Sequence, residues 1–452
     1  MRAPLLRVGV AVALLAGCAA SEREPPNVLV VVVDTFRADH IGGYGYFRDT
    51  TPHLDRLIAE GARFDAAIAT GSWSPPSHVS ILTGLLPNQH RVLTWGHEVP
   101  ERVVSLAGRL GAHGYRTGLF SSHGGLRKGL RGFGRDFGHS FGTHRKHDER
   151  TLDRAFQWIR ESERPWYAHA ILMSTHGPYD RYPPEWDERY FTDVPPGGER
   201  TFPLAAPRQG RGIPEYLSVG DHRSAGYYAN RYDRAVHYVD GLLGRFLARL
   251  EEEGWLDETL VVVTSDHGEG FGEHGHFGHG NDLYDVLLRV PLILRLPGRI
   301  PAGTVWSEPV SLVDLVPTAL GFAGAPAPEG LPGIDLSGHL ERGTRPAPRL
   351  LVSVDRSGES WVFAVRSASH KLIYDGSAGR AELYDLTRDP GERTNLLEGP
   401  PEEVPAAAYQ ELRTELGELA AAHGAAEVPE APVLSAEGVE ALRTLGYLEG
   451  PD

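Results

Sequence analysis

Two apolar, β-branched runs that each lead into a carboxylate constrain this chain most. Residues 28–33 read Val-Leu-Val-Val-Val-Val and lead into Asp34, and residues 260–264 read Leu-Val-Val-Val-Thr and lead, after one serine, into Asp266 and His267. Such continuous apolar runs are typical of strands buried on both faces, as in parallel sheets. Open α/β sheets bind ligands at the carboxyl ends of their strands. The runs therefore predict an α/β protein with a functional site beside these three polar residues.

Helical patterns between the strands support the same fold class. The longest, over residues 227–252, has apolar residues with helical spacing at Val236, Val239 and Leu242. Further strands are predicted over residues 166–173 and 292–296. Strands that alternate with helices predict a mostly parallel sheet flanked by helices. The other helices predicted in this region are residues 52–60, 106–112 and 151–162.

The pattern changes after about residue 345. Short β-like runs at residues 350–354, 361–366 and 371–374 are followed by a helical segment at 406–423. This order predicts a small antiparallel sheet plus a helix. The predicted organisation is therefore a catalytic domain over residues 27–344 and a C-terminal α+β subdomain over residues 345–452.

The first 17 residues predict a signal peptide, with a basic start and an apolar stretch too short to span a membrane. Cys18, the single cysteine of the chain, follows Leu-Ala-Gly and resembles the lipidated residue of bacterial lipoproteins. Residues 18–26 are small, polar and proline-containing, which favours a tether. We expect an exported protein whose lipid anchor holds it to a membrane of the bacterial cell envelope, at the outer membrane or the periplasmic face. The alternative is a plain signal peptide with an incidental cysteine.

A candidate nucleophile lies at a predicted helix start. Ser74 opens the sequence Ser-Pro-Pro-Ser-His over residues 74–78, and proline is favoured in a first helical turn. A hydroxyl there meets unpaired backbone N–H groups and the positive end of the helix dipole, which suits an anionic ester. Ser before Pro is also common in plain turns, so the motif alone does not indicate a nucleophile. The residues predicted at the strand ends are what favour that interpretation.

Carboxylates, an imidazole and a hydroxyl together are typical ligands of a divalent cation. The predicted metal ligands are Asp34, Ser74, Asp266 and His267, and the cation would activate the Ser74 oxygen. Oxygen ligands favour Ca²⁺, whereas His267 shifts the preference towards Mn²⁺ or Zn²⁺. His274 and His276 lie in a glycine-rich loop and could bind a second metal, although no third ligand is evident.

In their order along the chain, these motifs resemble the sulfatase family of the alkaline-phosphatase superfamily. The resemblance implies an alkaline-phosphatase-like fold and a Ca²⁺-dependent hydrolase of sulfuric esters. It implies that His176 and His279 neutralise charge on the transferred group or protonate the leaving oxygen, and that Arg37 orients the substrate unless it is structural. The matching segments are residues 34–40, 43–45, 51–55, 74–78, 176–179, 265–269, 272–275, 278–280, 283–285, 382–386, 389–390 and 395–396.

The chain departs from the family pattern at site positions. Family members carry Cys or Ser, any residue, Pro, Ser and Arg, and the first residue is oxidised to formylglycine; here His78 replaces the Arg. Thr35 replaces a carboxylate, His279 replaces a lysine, and His123 lies one residue before an expected histidine. The pattern is similar to lipoteichoic acid synthases and phosphoethanolamine transferases, which use an unmodified hydroxyl. A phosphoester hydrolase or phosphoryl transferase with unmodified Ser74 is therefore the alternative.

The charge balance limits the partners. With 45 Lys and Arg against 60 Asp and Glu, the chain has a formal charge of −15, which disfavours nucleic-acid binding. The expected partners are a small-molecule or glycan ester and, through the lipid anchor, the membrane. A different functional class stays open, namely a catalytically inactive surface lipoprotein that binds a glycan. The retained candidate ligands and Ser74 oppose it, because a binding module needs no nucleophile.

Overall fold

The computed structural model describes residues 24–424 except 144–146, 190, 206–211, 281, 358–359, 377 and 401–402. The predicted signal peptide, Cys18 and most of the predicted tether lie outside the described residues. The strands are Asn27–Val33 (β1), Ala62–Phe64 (β2), Ala67–Ile68 (β3), Arg116–Ser121 (β4), His139–Gly142 (β5), Trp166–Leu172 (β6), Thr259–Thr264 (β7), Gly270–Phe271 (β8), Phe277–Gly278 (β9), Arg289–Val290 (β10), Leu292–Arg295 (β11), Thr304–Trp306 (β12), Val310–Ser311 (β13), Leu351–Ser357 (β14), Ser360–Arg366 (β15), His370–Asp375 (β16) and Arg380–Asp385 (β17). The α-helices are Pro52–Glu60 (α1), Ser74–Thr83 (α2), Pro87–His90 (α3), Leu106–Ala112 (α4), Gly124–Gly129 (α5), Asp148–Arg160 (α6), Trp186–Arg189 (α7), Ala225–Glu252 (α8), Asp285–Leu288 (α9), Leu315–Ala323 (α10), Ser337–Arg342 (α11) and Ala406–Gly424 (α12).

An eight-stranded sheet forms the centre of the molecule, in the order β12-β2-β11-β7-β1-β6-β4-β5. All neighbouring pairs are parallel except those of β11, which is antiparallel to β7 and β2. The mostly parallel sheet is thus confirmed. A parallel connection usually needs a helix long enough to cross the sheet. The only α-helix described between β7 and β11 is the four-residue α9, which is too short to cross the sheet, so β11 starts at the edge where β7 ends and runs antiparallel to it.

The strand β1 is buried on both faces, as its sequence predicts. Val28, Val30 and Val32 pack into a core with residues of α2, α4 and α10 on one side of the sheet. The alternate residues, such as Val31, pack with residues of α1, α6 and α8 on the other side. Helices therefore cover both faces of the sheet, which leaves the edge formed by its strand ends as the place where open α/β sheets bind ligands. No helix in the described part of the chain has both the length and the apolarity needed to cross a bilayer.

Two predicted helices begin earlier than their apolar patterns suggest. Helix α8 starts at Ala225, where the side chain of Ser224 accepts a hydrogen bond from the N–H of Tyr227. This N-cap satisfies one of the backbone donors that a helix start leaves unpaired. Helix α6 starts at Asp148, whose carboxylate is turned towards the strand ends.

The C-terminal strands β14 to β17 form a four-stranded antiparallel sheet in sequence order, and α12 packs on it. The small C-terminal sheet plus helix is confirmed, with β17 as an additional strand. Strand β14 also bonds to the central domain: Val354 N–H donates to the carbonyl of Thr70 at 2.8 Å, and Ser353 Oγ donates to that of Ala69 at 2.6 Å. The domain boundary at residue 345 stays a prediction.

Candidate active site

Four neighbouring parallel strands place candidate residues along one edge of the sheet. Asp34 directly follows β1, and Asp266 and His267 follow β7 after one residue. On the other side of β1, His176 follows β6 and His123 follows β4. Carboxyl ends of adjacent parallel strands meet at the same edge, so these five side chains converge although they are far apart in sequence.

Helix α2 brings the candidate nucleophile to the same edge. Ser74 is its first residue, prolines occupy the next two positions, and all ten residues of the helix are buried. His78 lies four residues further on and therefore shares the helix face of Ser74. The positive end of the helix dipole thus points at the strand-end carboxylates.

The side chains of this cluster lie within hydrogen-bond or ion-pair range of one another. Ser74 Oγ is 3.4 Å from Asp34 Oδ2 and 3.4 Å from His267 Nε2. Asp266 Oδ2 is 3.3 Å from His267 Nε2 and 3.1 Å from His78 Nε2. All five side chains are fully buried. The structure thus brings together the four predicted metal ligands and adds His78; their roles stay predictions.

Several buried polar atoms of the cluster accept or donate no hydrogen bond within the described residues. These atoms are Asp34 Oδ1, Asp266 Oδ2 and both ring nitrogens of His78. The short approach of His78 to Asp266 therefore lacks hydrogen-bond geometry. Buried charges need partners, because leaving them without one is costly. Donor atoms of these three residues lie within 4.8 Å of one another, so the residues fit a divalent cation.

The electrostatics of the cluster also favour a cation. Burial and the charge of Asp266 raise the pKa of Asp34. Burial opposes ionisation of Asp266 as well, but His267 and His78 outweigh it and hold the pKa of Asp266 below its usual value. Burial alone would lower the pKa of His78, and the two carboxylates instead raise it to about 9. Two buried carboxylates so close together need positive charge beside them.

The tautomers of the histidines follow from their hydrogen-bond partners. The Nδ1 atoms of His267 and His176 lie 2.9 and 3.0 Å from the carbonyl oxygen of the next residue, so Nδ1 carries the proton and Nε2 a lone pair. His123 is different, because its Nδ1 accepts from the N–H of Leu126 at 3.4 Å. Its proton is then on Nε2, which lies 3.6 Å from Asp34 Oδ2, so this nitrogen offers no lone pair to a cation.

His279 lies beside the cluster with the predicted catalytic partner His176. The two ring centres are 5.1 Å apart, and that of His279 is 4.5 Å from the ring of His267. His279 Nδ1 is 2.9 Å from Glu269 Oε1. Burial acts to lower the pKa of His279, but the Glu269 carboxylate outweighs it and raises the pKa. His279 can therefore supply positive charge or a proton.

Thr35, which stands in place of a family carboxylate, ties the two central strand ends together. Its N–H donates to Asp266 Oδ1 at 3.2 Å, and its hydroxyl donates to the carbonyl of Asp34 at 2.6 Å. Its φ of 57° is unusual for a β-branched residue. Such backbone strain persists where surrounding contacts over-determine it, and it is concentrated at functional sites.

The described polar contacts of Arg37 lie outside the cluster. Its guanidinium pairs with Asp39 at 2.7 Å and Glu273 at 2.9 Å, and it also donates to the carbonyl of Glu269. Two carboxylates neutralise its charge, which favours a structural role. Orientation of the substrate by Arg37 stays a prediction.

The loop histidines do not converge on a common point. His274 stacks on Tyr284 with ring centres 3.7 Å apart, while His276 Nε2 pairs with Asp282 at 2.9 Å. Among the residues described, only Asp34, His78 and Asp266 form a group of three or more potential ligands. A second metal at His274 and His276 is therefore not supported.

Residues 26–325 match the family model of the sulfatases, which is more than half of the chain. The chain belongs to the sulfatase family. Residues 272–422 also match the model of the C-terminal part of N-sulphoglucosamine sulphohydrolase. This sulfatase-family chain is accordingly a sulfatase-like ester hydrolase.

Relatives match along most of the chain. An arylsulfatase of Clostridium perfringens is 24% identical over 441 residues, covering 82% of this chain and 90% of that protein. A choline-sulfatase of Rhizobium meliloti is 26% identical over 492 residues, covering 93% and 92%. A protein solved in complex with its substrate D-glucosamine-2-N,6-O-disulfate superposes with a TM-score of 0.76 at 22% identity, over 90% of this chain and all of that one. The phosphonate monoester hydrolase of Agrobacterium radiobacter superposes with a TM-score of 0.70 at 21% identity, covering 88% of this chain and 95% of that one. These structures share the fold.

The sequence patterns alone do not place His78 and His123 in the site of this sulfatase-family enzyme. His78 was interpreted only as the residue that replaces an arginine. Its position four residues after Ser74 in a helical segment was the signal, because that spacing equals about one turn. His123 lies two residues after the end of β4, a strand that was not predicted.

Proposed function

We propose that this enzyme hydrolyses sulfuric or phosphoric esters with the Ser74 hydroxyl as nucleophile and depends on one divalent cation. The observation that carries the proposal is the position of Ser74 Oγ, 3.4 Å from both Asp34 Oδ2 and His267 Nε2. A nucleophile within reach of a base at a buried helix start is typical of covalent catalysis. Asp34, Asp266 and His267, with the Ser74 oxygen, would hold the cation. A divalent cation in such a site supplies a Lewis acid that polarises ester oxygens and makes a hydroxyl more acidic.

The residues of the chain can carry the remaining steps. Ser74 donates its hydroxyl hydrogen bond to Asp34 Oδ2, which orients the oxygen for attack. The N-terminal end of α2 offers partial positive charge to an anionic ester group. His279, whose pKa the Glu269 carboxylate raises against the effect of burial, lies next to His176, with ring centres 5.1 Å apart. Either ring, once it is protonated on both nitrogens, can neutralise charge on the transferred group or protonate the leaving oxygen.

Ser74 acts unmodified in this proposal. The support is His78, which occupies the position where the maturation of family members is expected to require an arginine. A sulfated formylglycine hydrate can expel sulfate by collapsing to the aldehyde. A serine sulfate cannot do so, and its sulfate must be released by hydrolysis. Turnover of phosphoesters should therefore equal or exceed that of sulfate esters. A phosphoester hydrolase or transferase with unmodified Ser74 is the second candidate for this reason.

A sulfated or phosphorylated sugar is our proposed substrate class. An N-acetylglucosamine-6-O-sulfatase of Bacteroides thetaiotaomicron is 25% identical over 475 residues, covering 85% of each protein. The chain that gives the TM-score of 0.76 was solved with a sulfated glucosamine. Both names describe those proteins, and they motivate the inclusion of sugar esters among the test substrates.

A panel of aryl sulfate, phosphate monoester, phosphodiester and sulfated glucosamine substrates tests the function, with Ser74→Ala as the control. Mass analysis of the peptide that contains Ser74, after expression in the native host, tests the modification state. We expect phosphoester turnover, an unmodified serine, and at least about a 1,000-fold loss in the Ala variant. An aldehyde at Ser74 with fast aryl sulfate turnover would contradict the unmodified nucleophile. No turnover together with no bound metal would favour the inactive glycan binder.

A further inference from the structure

His78 is the most informative side chain that the proposed reaction does not use. It is fully buried, and among the described residues neither ring nitrogen has a hydrogen-bond partner. Its Nε2 faces Asp266 Oδ2 at 3.1 Å and Asp34 Oδ2 at 3.9 Å. A buried polar ring is normally hydrogen-bonded, so an imidazole aimed at two carboxylates without such a bond needs another partner.

We propose that His78 is a ligand of the cation, and that its imidazole with that of His267 makes the site select a nitrogen-binding transition metal over Ca²⁺. This inference rests on the metal dependence in the proposed function. His267 Nδ1 points to a carbonyl oxygen, which leaves Nε2 as the ligand atom. His123 is excluded from the ligand set, since its Nε2 carries the proton. The cation would therefore have two nitrogen ligands, one from His78 and one from His267.

The separations of the donor atoms suit a compact ion. Ligands that surround Zn²⁺ tetrahedrally at about 2.0–2.2 Å lie about 3.3–3.6 Å from one another. The observed separations are 3.1 Å between His78 and Asp266, 3.3 Å between His267 and Asp266, 3.4 Å from Ser74 to Asp34, and 3.9 Å between His78 and Asp34. Ca²⁺ prefers six to eight oxygen ligands at longer distances. Two imidazoles that each lie close to Asp266 Oδ2 instead favour metals such as Zn²⁺.

A competing explanation is that His78 is a cation that substitutes for the family arginine. An imidazolium would then balance the charges of Asp34 and Asp266 without binding metal. The two explanations differ in the number of imidazoles bound to the ion. They also differ in the metal that the site prefers, because only a ligand changes the donor set.

The experiment uses the full chain freed of metal by a chelator and then exposed to equal concentrations of Zn²⁺, Mn²⁺ and Ca²⁺. Elemental analysis identifies the bound ion, and X-ray absorption of the Zn²⁺-loaded protein counts the imidazoles. We expect about one transition-metal ion per chain, no retained Ca²⁺ and two imidazoles. One imidazole, or a preference for Ca²⁺, would overturn the inference.

His78→Asn gives a second readout, because it replaces a nitrogen donor by an amide oxygen. Its Zn²⁺ affinity should fall by more than the roughly 10- to 100-fold that loss of an outer partner costs, while Ca²⁺ competes better. His90→Asn is the control. His90 is equally buried, but it bonds to Ser80 Oγ at 3.1 Å instead of the cluster carboxylates. Its metal preference should match the unaltered protein. If His78→Asn does not fold, the imidazole count on the unaltered protein decides.

Failure of this inference can be told apart from failure of the proposed function. Ester turnover with metal bound through one imidazole refutes the role of His78 alone. Two bound imidazoles without any ester turnover refute the proposed reaction and leave the ligand assignment intact. A chain that binds no divalent metal refutes both.

Discussion

The backbone N–H of Ser72 donates to the carboxylate of Asp355 at 3.2 Å, and the hydroxyl of Ser72 donates to the same oxygen. Ser72 lies two residues before Ser74, whereas Asp355 lies in β14 of the C-terminal sheet. Together with the bond from Val354 to Thr70, this contact fixes the segment that leads into α2. The C-terminal sheet thus supports the nucleophile of the central domain.

Replacement of Asp355 by Ala should reduce kcat by up to about 100-fold, because a displacement of about 1 Å in the reacting geometry can cost that much. The bound metal should be retained, since Asp355 contacts none of the candidate ligands. Steady-state kinetics and elemental analysis measure the two effects. Asp355→Asn keeps one acceptor oxygen and should restore most of kcat. Equal losses in both variants would contradict a role through this hydrogen bond.

A second carboxylate, Asp148, should position the strand ends that carry His123 and His176. It accepts bonds from the N–H groups of Met173 and Ser174 at 2.9 and 2.7 Å, and from the hydroxyl of Ser122. Asp148→Ala should lower kcat about 10- to 100-fold, a cost comparable to that of losing an outer partner of a site.

The matched control is Asp153→Ala in the same helix. Asp153 forms an exposed pair with Arg249 at 2.6 Å, and exposed pairs contribute little to stability. Its kcat and its unfolding midpoint should be nearly unchanged. A similar loss of kcat in both variants would indicate general damage to α6.

The sequence predicted those parts of the site that depend on local patterns. Asp34 and Asp266 follow apolar runs, and Ser74 precedes two prolines, so each could be placed on an element without knowledge of its neighbours. The supporting roles of Asp148 and Asp355 could not be predicted. Their partners are distant in sequence, and only the packing of strands and helices brings them together.

The fold shows the same division. The parallel core follows from strands that are apolar throughout, but the reversed direction of β11 depends on how the chain returns after β7. Residues 382–385 were interpreted only as a family hallmark, although they form part of β17. Glu382, Leu383 and Tyr384 are buried in succession without the alternation of a half-exposed strand, and pairing with β16 decides their conformation.

Asp266→Ala should remove the metal and the activity together while the fold is retained. Loss of one carboxylate ligand leaves the cation under-coordinated, and the fall in activity should exceed about 100-fold. Elemental analysis, circular dichroism and ester turnover measure these outcomes. Full metal occupancy in the folded variant would show that Asp266 is not a ligand.

Asp240 should make the stability of the protein depend on pH. It accepts the N–H groups of His53 and Leu54 at the start of α1, and burial raises its pKa to about 7. The folded state therefore holds a proton that the unfolded state releases near pH 4. The protonated Asp240 adds on the order of a few kcal/mol to the free energy of unfolding. This stabilisation is complete below about pH 4 and is lost as the pH rises to about 7.

Thermal unfolding midpoints of the unaltered protein and Asp240→Asn, measured between pH 4 and 8, test this expectation. The unfolding midpoint of the unaltered protein, relative to that of the variant, should fall from pH 4 to 7 and then stay constant. A relative midpoint that instead rises over that range would mean that the pKa of the Asp240 carboxyl lies below its usual value.

Cys18 lies outside the described residues, and its lipidation stays a prediction from the sequence. In a bacterial host that lipidates such cysteines, the unaltered chain should remain with the membrane after washing without detergent. Cys18→Ala should be released in soluble form or remain unprocessed, since two acyl chains are enough for stable anchoring. Membrane association that is unchanged in the variant would argue against a lipid anchor.

The order of strands in the central sheet has a consequence for the growing chain. Strand β1 is synthesised first, yet its partners β6 and β7 begin at Trp166 and Thr259. Until they exist, a run of valines has exposed edges, which is a hazard for aggregation. Fragments that end before residue 259 lack β7, and they also lack Asp266, one of the two carboxylates among the candidate metal ligands. Ester turnover should therefore report complete folding of this chain, and recombinant yield should depend on how well a host protects its first strand.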